Sequence, residues 1–66
     1  MTASELHRRR IRLGLSREQL AHAVGVEEQT LVDWEEGIAA IRVPHALEQI
    51  LRQREERERG DRPHAA

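Results

Sequence analysis

Apolar residues recur at the three- and four-residue spacing of a helix through most of this chain. The clearest stretch is SREQLAHAVGVEEQTLVDWEEG, residues 16–37. Residues that recur at this spacing lie on one helical face, so the stretch predicts two amphipathic helices. The apolar positions that define the two faces are Leu20, Ala21 and Val24 in the first helix, and Leu31 and Trp34 in the second.

Residues that start and stop helices bound these two faces. Ser16 and Gln19 have the spacing of a capping box, which satisfies free N–H groups at a helix start. Gly25 follows the first face and suits a left-handed helix stop, because a residue without a Cβ adopts that conformation without strain. The second helix is predicted to begin near Glu27 and to end before Gly37. Two short helices around one glycine predict a helix-turn-helix.

Two further helices are predicted to flank this pair. Thr2 and Glu5 have the spacing of a second capping box, so the first helix should start near Ala3 and end at Gly14. Pro44 suits the first turn of the last helix, where its missing N–H costs no hydrogen bond. The apolar positions of these helices are Leu6 and Leu13, with Ile11 beside them, and then Leu47, Ile50 and Leu51.

The pattern Ser-x-x-x-Leu-Ala-x-x-x-Gly-Val, followed by Gln-Thr-Leu, Trp-Glu and Gly, resembles the helix-turn-helix of the phage-repressor family (lambda repressor and Cro type). The similarity extends upstream through Arg10, Leu13, Gly14 and Leu15, and it fades beyond about Leu51. This resemblance implies an all-α, four-helix, lambda-repressor-like DNA-binding domain. It also implies a transcriptional regulator, of phage-repressor, antitoxin-like or restriction-control type, that binds double-stranded DNA as a homodimer.

The chain departs from the family pattern near its C-terminus. Residues 52–59, RQREERER, are helix-prone and fully polar, so they predict a charged extension of the last helix without an anchor in the core. The family's usual fifth helix is missing from the pattern, so the sequence gives no support for the family's standard dimer contact. We therefore predict a DNA-binding domain over residues 1–54, and a charged helical extension with a disordered tail over residues 55–66.

The resemblance implies that side chains at the outer positions of the third helix contact the bases of DNA. These positions hold Glu28, Gln29 and Asp33, with Thr30 nearby. The Gln29 amide can pair with adenine N6 and N7. Glu28 and Asp33 can only accept hydrogen bonds, so the cytosine amino group is their expected partner. The third helix would dock in the major groove.

Arginines are expected at the DNA phosphates. Arg17 occupies the first position of the second helix, where free N–H groups and the helix dipole favour an anion. Arg42 is the basic residue in the loop after Gly37. For Arg9, a phosphate contact and a solvated helix face are equally supported. The resemblance further pairs Arg10 with Glu35 as a structural ion pair between the first and third helices.

The charge distribution supports a second hypothesis for the function. The net charge is −1, and the segments are uneven: residues 1–17 carry +4, residues 18–36 carry −6 and residues 37–66 carry +1. DNA-binding proteins usually carry a basic surplus. The second hypothesis is therefore a protein–protein interaction module on the same scaffold, with its acidic third helix presented to a basic partner.

Other classes of function have little support in the sequence. The chain has no Cys, its four His are scattered, and it contains neither a Gly-rich phosphate loop nor a recognisable nucleophile with its base. We expect no enzyme activity, no metal and no cofactor. No apolar run approaches the length of a bilayer span, so we expect a cytoplasmic protein without a membrane partner.

Overall fold

Four helices make up the fold in a computed structural model that describes residues 1–60. They are α1 (Ala3–Arg12), α2 (Arg17–Val24), α3 (Glu28–Glu35) and α4 (Pro44–Gly60). The described residues contain no strand, so the predicted all-α, four-helix class is confirmed. Within these residues no helix is both long and apolar enough to cross a membrane. The predicted disordered tail is residues 60–66, and all of it except Gly60 lies outside the described residues.

The predicted helix starts are present, with one difference. The Ser16 hydroxyl accepts from the Gln19 backbone N–H at 3.0 Å, and the Gln19 side-chain oxygen accepts from the Ser16 N–H at 2.8 Å. At α1 only half of the box forms, since the Thr2 hydroxyl accepts from the Glu5 N–H at 3.1 Å. The Glu5 carboxylate lies instead 3.6 Å from the guanidinium of Arg9, one helical turn further on.

The turn between α2 and α3 depends on Gly25. Its backbone is left-handed, with φ 85° and ψ 30°, and its N–H donates to the Ala21 carbonyl at 2.9 Å. Any other residue would carry a strained Cβ in this conformation. Helix α3 then begins after Glu27, whose side chain makes no capping hydrogen bond, so this helix start relies on packing rather than on a local cap.

The core takes apolar side chains from all four helices. Trp34, the single aromatic residue of the chain, is 2 % exposed. The other buried apolar residues surround it in one cluster: Leu6, Leu20, Ala21, Leu31, Leu47 and Leu51. Such burial is the main favourable contribution to folding, at about 25 cal/mol per Å² of apolar surface.

Two isoleucines do not join this core. Ile11, predicted beside the inner face of the first helix, is 56 % exposed, because the positions that face the core are occupied by Leu6 and Arg10. In the connection between α3 and α4, Ile41 packs partly against the core while Ile38 is 70 % exposed.

Helix α4 continues without a break through residue 54 to Gly60. This polar extension is nevertheless anchored outside the core, because Glu55 accepts two hydrogen bonds from Arg9 of α1. The anchor is an ion pair rather than an apolar contact, which is why a search for apolar residues beyond Leu51 misses it. The division at residue 54 stays a prediction.

We expect Trp34→Ala to destabilise the domain by about 3–5 kcal/mol, because it leaves a large cavity among the core leucines. That loss is comparable to the whole stability of a domain of this size. Urea denaturation followed by circular dichroism measures it. Ile11→Ala is the control and should change stability by less than about 0.5 kcal/mol. Equal effects of the two substitutions would contradict the packing described here.

Candidate nucleic-acid interface

A buried carboxylate ties the helices together beside the candidate interface. Glu35 is the last residue of α3, and its side chain is 2 % exposed. The Arg10 guanidinium donates to both of its oxygens, from Nε at 2.6 Å and from Nη2 at 3.2 Å. Arg10 Nη1 also donates to the Leu15 carbonyl at 2.9 Å. The ion pair predicted between Arg10 and Glu35 is therefore present, and it also holds the turn between α1 and α2.

Two more basic side chains approach the same carboxylate. His7 Nδ1 lies 3.1 Å from Glu35 Oε1. The carboxylate can only accept, so a hydrogen bond here requires the proton on Nδ1. Arg17 Nε lies 3.6 Å from the same oxygen, is buried, and has no hydrogen-bond partner among the described residues. Sequence patterns gave no signal for either contact, since both residues come from other helices.

These neighbours decide the ionisation of Glu35. Burial raises the pKa of its carboxyl, but the hydrogen bonds from Arg10 and His7, and their charges, outweigh burial and lower the pKa below its usual range. Glu35 is therefore ionised at neutral pH. A buried anion at this point attracts the Arg17 guanidinium, whose Nε lies 3.6 Å from Glu35 Oε1.

Arg17 lies where an anion would be favoured. It is the first residue of α2, and its side chain remains 41 % exposed. The first N–H groups of a helix lack intrahelical partners, and the helix dipole adds a partial positive charge there. With Nε turned to Glu35, the two terminal guanidinium nitrogens make no hydrogen bond to the described residues and are available to a ligand.

The predicted base-contacting residues lie in the first half and middle of α3. Glu28 and Gln29 are exposed, whereas Thr30 and Asp33 are half-buried. One contact joins two of them: Gln29 Nε2 donates to Asp33 Oδ1 at 3.0 Å. Their four-residue spacing is the sequence signal that could have predicted this contact, because side chains at i and i+4 meet on a helix.

Arg42 lies in the connection between α3 and α4. It is exposed and forms no ion pair within residues 1–60. The connection follows Gly37, whose φ of 76° ends α3. Arg42 is thus available to a ligand, and its phosphate contact stays a prediction.

Arg9 has a different role from the phosphate contact considered above. Its guanidinium donates to Glu48 at 2.8 and 3.2 Å and to Glu55 at 2.9 Å twice, and its side chain is 15 % exposed. These hydrogen bonds raise the pKa of Arg9 and lower the pKa values of both glutamates. The guanidinium is therefore occupied by α4 and not available to a phosphate.

The acidic residues around α3 contrast with these paired glutamates. Four of them are exposed and form no ion pair with the described residues: Glu18, Glu27, Glu28 and Glu36. These four carboxylates are thus not compensated by an ion pair within the described residues. No group of three or more His, Asp and Glu residues within residues 1–60 is arranged to hold a metal ion.

Helix α2, the turn at Gly25 and helix α3 form a helix-turn-helix, in which the outer side of the second helix carries polar side chains. A family model described as helix-turn-helix matches residues 6–49, which is two thirds of the chain, and the chain belongs to this family. Its Cro and C1 type is a family of DNA-binding regulators, so this protein is a DNA-binding regulator of transcription. No curated protein and no solved structure matches the chain.

We expect the free energy of unfolding to fall on acidification below the usual glutamate pKa of about 4.3. The folded-state pKa values of Glu35, Glu48 and Glu55 are lowered. Their stabilisation is therefore present above the unfolded-state pKa and is lost as the pH falls through the folded-state values. Urea denaturation between pH 7 and pH 2 measures the loss. Carboxyl NMR titration should give Glu35 a pKa below the usual glutamate value, and a pKa above that value would mean that burial dominates.

We expect Arg9→Ala to lower the melting temperature without changing the salt dependence of DNA binding, because Arg9 joins α1 to α4. Arg8→Ala is the matched control, since Arg8 is the exposed neighbour and should leave the melting temperature nearly unchanged. Thermal unfolding and DNA titrations at several salt concentrations measure both quantities. If Arg9→Ala instead lowers the salt slope by about 1, as expected for a lost phosphate contact, Arg9 belongs to the interface.

Proposed function

We propose that α3 docks in the major groove of duplex DNA and that Arg17 and Arg42 hold the flanking phosphates. The observation that carries this proposal is the attraction of Arg17 Nε to Glu35 at 3.6 Å. It ties the N-terminus of α2 to the C-terminal end of α3, so a phosphate held by Arg17 would fix the position of α3 along the groove. Phosphate contacts position a protein, and base contacts then provide specificity.

The bases would be recognised by the side chains of α3. Gln29 is exposed, and its amide has the donor and acceptor that match adenine. Glu28 is exposed beside it and can accept from a cytosine amino group. Thr30, which is half-buried, can reach either base class with its hydroxyl. The acids reduce affinity for phosphates in general, so specific recognition would depend on these base contacts.

Operators for helix-turn-helix proteins usually contain two half-sites, and we propose that the protein acts as a homodimer. Two copies of α3 would then lie about 34–36 Å apart, one turn of DNA. We propose a role in the cytoplasm as a regulator of phage-repressor, antitoxin-like or restriction-control type. The two-fold symmetry would appear directly as a palindromic preferred sequence.

A second candidate function is recognition of a basic protein partner. It is favoured by one observation, the exposed acidic residues around α3 that have no ion pair within residues 1–60: Glu18, Glu27, Glu28 and Glu36. Complementary charge accelerates and orients association between proteins. On this hypothesis the same surface would repel DNA and attract a cationic segment of another protein.

We expect Arg17→Ala and Arg42→Ala each to weaken binding to all duplexes by a similar factor and to lower the slope of log affinity against log salt by about 1. The experiment is a gel-shift titration against random and selected duplexes from about 50 to 200 mM salt. Arg57→Ala, an exposed arginine in the last turn of α4, removes the same charge as a control and should leave the slope unchanged.

Two results would contradict the proposal. If Arg57→Ala lowers the slope as much as Arg17→Ala, the arginines act only through total charge and not as positioned contacts. If the parent protein binds no duplex even at about 50 mM salt, where non-specific electrostatic contacts are strong, the major-groove proposal fails. Binding of a basic polypeptide under the same conditions would then favour the second candidate.

A further inference from the structure

The hydrogen bond between Gln29 and Asp33 restricts how the Gln29 amide can be used. A glutamine amide has two N–H donors on one nitrogen and one acceptor oxygen. In the structure Nε2 donates to Asp33 Oδ1 at 3.0 Å. This contact occupies one N–H group and leaves the other N–H and the oxygen free. Rotation of the amide by half a turn would bring its oxygen against the carboxylate, so only one orientation is favourable.

The groups that remain free match one purine better than the other. Adenine presents N7 as an acceptor and N6–H₂ as a donor in the major groove, whereas guanine presents two acceptors, N7 and O6. A glutamine with both N–H groups available can donate to the two guanine acceptors. A glutamine with one N–H group occupied presents one donor and one acceptor, which complements adenine and places its oxygen against guanine O6.

We propose that Asp33 is a positioning residue that makes Gln29 select adenine and reject guanine. The inference rests on the proposed docking of α3 in the major groove, and it replaces the cytosine contact expected for Asp33. Asp33 is half-buried while Gln29 is exposed, so Gln29 is the more accessible of the two residues to a base. Helix α3 contains no basic residue, and the Gln29 N–H is the side-chain donor that the described residues provide to Asp33.

This arrangement also gives a function to the negative charge of Asp33, which would otherwise only oppose DNA binding. An exposed carboxylate near the groove repels the flanking phosphates. A carboxylate that accepts from an amide polarises it, which strengthens the remaining N–H as a donor to adenine N7. Asp33 would therefore reduce affinity for DNA in general and increase the preference for one base pair.

The test is a double-mutant cycle of Gln29→Ala and Asp33→Ala on duplexes that differ only at one base pair. Selection from random duplexes by the parent protein provides the preferred sequence, and the position that loses preference in Gln29→Ala identifies the base pair. The parent should prefer adenine to guanine there by about 5- to 150-fold, the range of one good bidentate contact. Asp33→Ala should reduce this ratio towards 1, because it frees the second N–H of Gln29 to donate to guanine. The same substitution should have no further effect on the ratio when Gln29 is already Ala.

Two further variants separate positioning from charge. Asp33→Asn keeps a carbonyl oxygen that can accept from Gln29, so it should keep more of the adenine preference than Asp33→Ala does. Glu36→Ala removes one exposed acid directly after α3 and should leave the ratio unchanged while raising affinity for all duplexes equally. Circular dichroism of every variant establishes that the helices are retained.

Several outcomes would overturn the inference. If Asp33→Ala relaxes a different base pair and the two substitutions act additively, Asp33 contacts a base itself. If Asp33→Ala leaves the adenine preference intact, the hydrogen bond has no role in recognition. If the parent protein binds no duplex at about 50 mM salt, the proposed docking fails and this inference fails with it. The first two results, by contrast, leave the docking proposal standing.

Discussion

The relative placement of α1, α2 and α3 depends on one buried carboxylate, Glu35. Apolar packing is not directional, so the leucine and tryptophan core alone would tolerate small rotations of the helices. The two hydrogen bonds from Arg10 to Glu35, together with the contacts from His7 and Arg17, have defined directions. They join the last residue of α3 to both preceding helices. Loss of either partner would leave the other charge buried, which is far more costly than loss of a surface ion pair.

Features set by neighbouring residues were predictable from the sequence. The Ser16 capping box and the left-handed Gly25 appear as expected, because each depends on residues within one helical turn. Trp34 is in the core, because it is the most apolar large residue of an amphipathic face. The Arg10–Glu35 pair followed from family resemblance, since its partners are 25 positions apart and no local pattern links them.

Features set by tertiary contacts were not predictable from the pattern. Arg9 meets Glu48 and Glu55 across 39 and 46 positions, a distance over which periodicity carries no information. Ile11 is exposed although it lies beside apolar positions, because Arg10 takes the place on the inner face that a hydrophobic pattern would assign to an apolar residue. Arg9 was thus assigned a surface role by the sequence but is paired within the fold.

This use of arginine bears directly on the low net charge of a DNA-binding protein. Total charge suggests a weak attraction to DNA, but the arginines are not equivalent. Arg9 and Arg10 are neutralised by carboxylates within the fold, so they contribute little to the outer field. Arg17 and Arg42 remain partly or fully exposed, next to acids that oppose indiscriminate binding. On the proposed docking, affinity for arbitrary DNA would be held low, and discrimination between sequences would fall to the few side chains of α3 that can contact base edges.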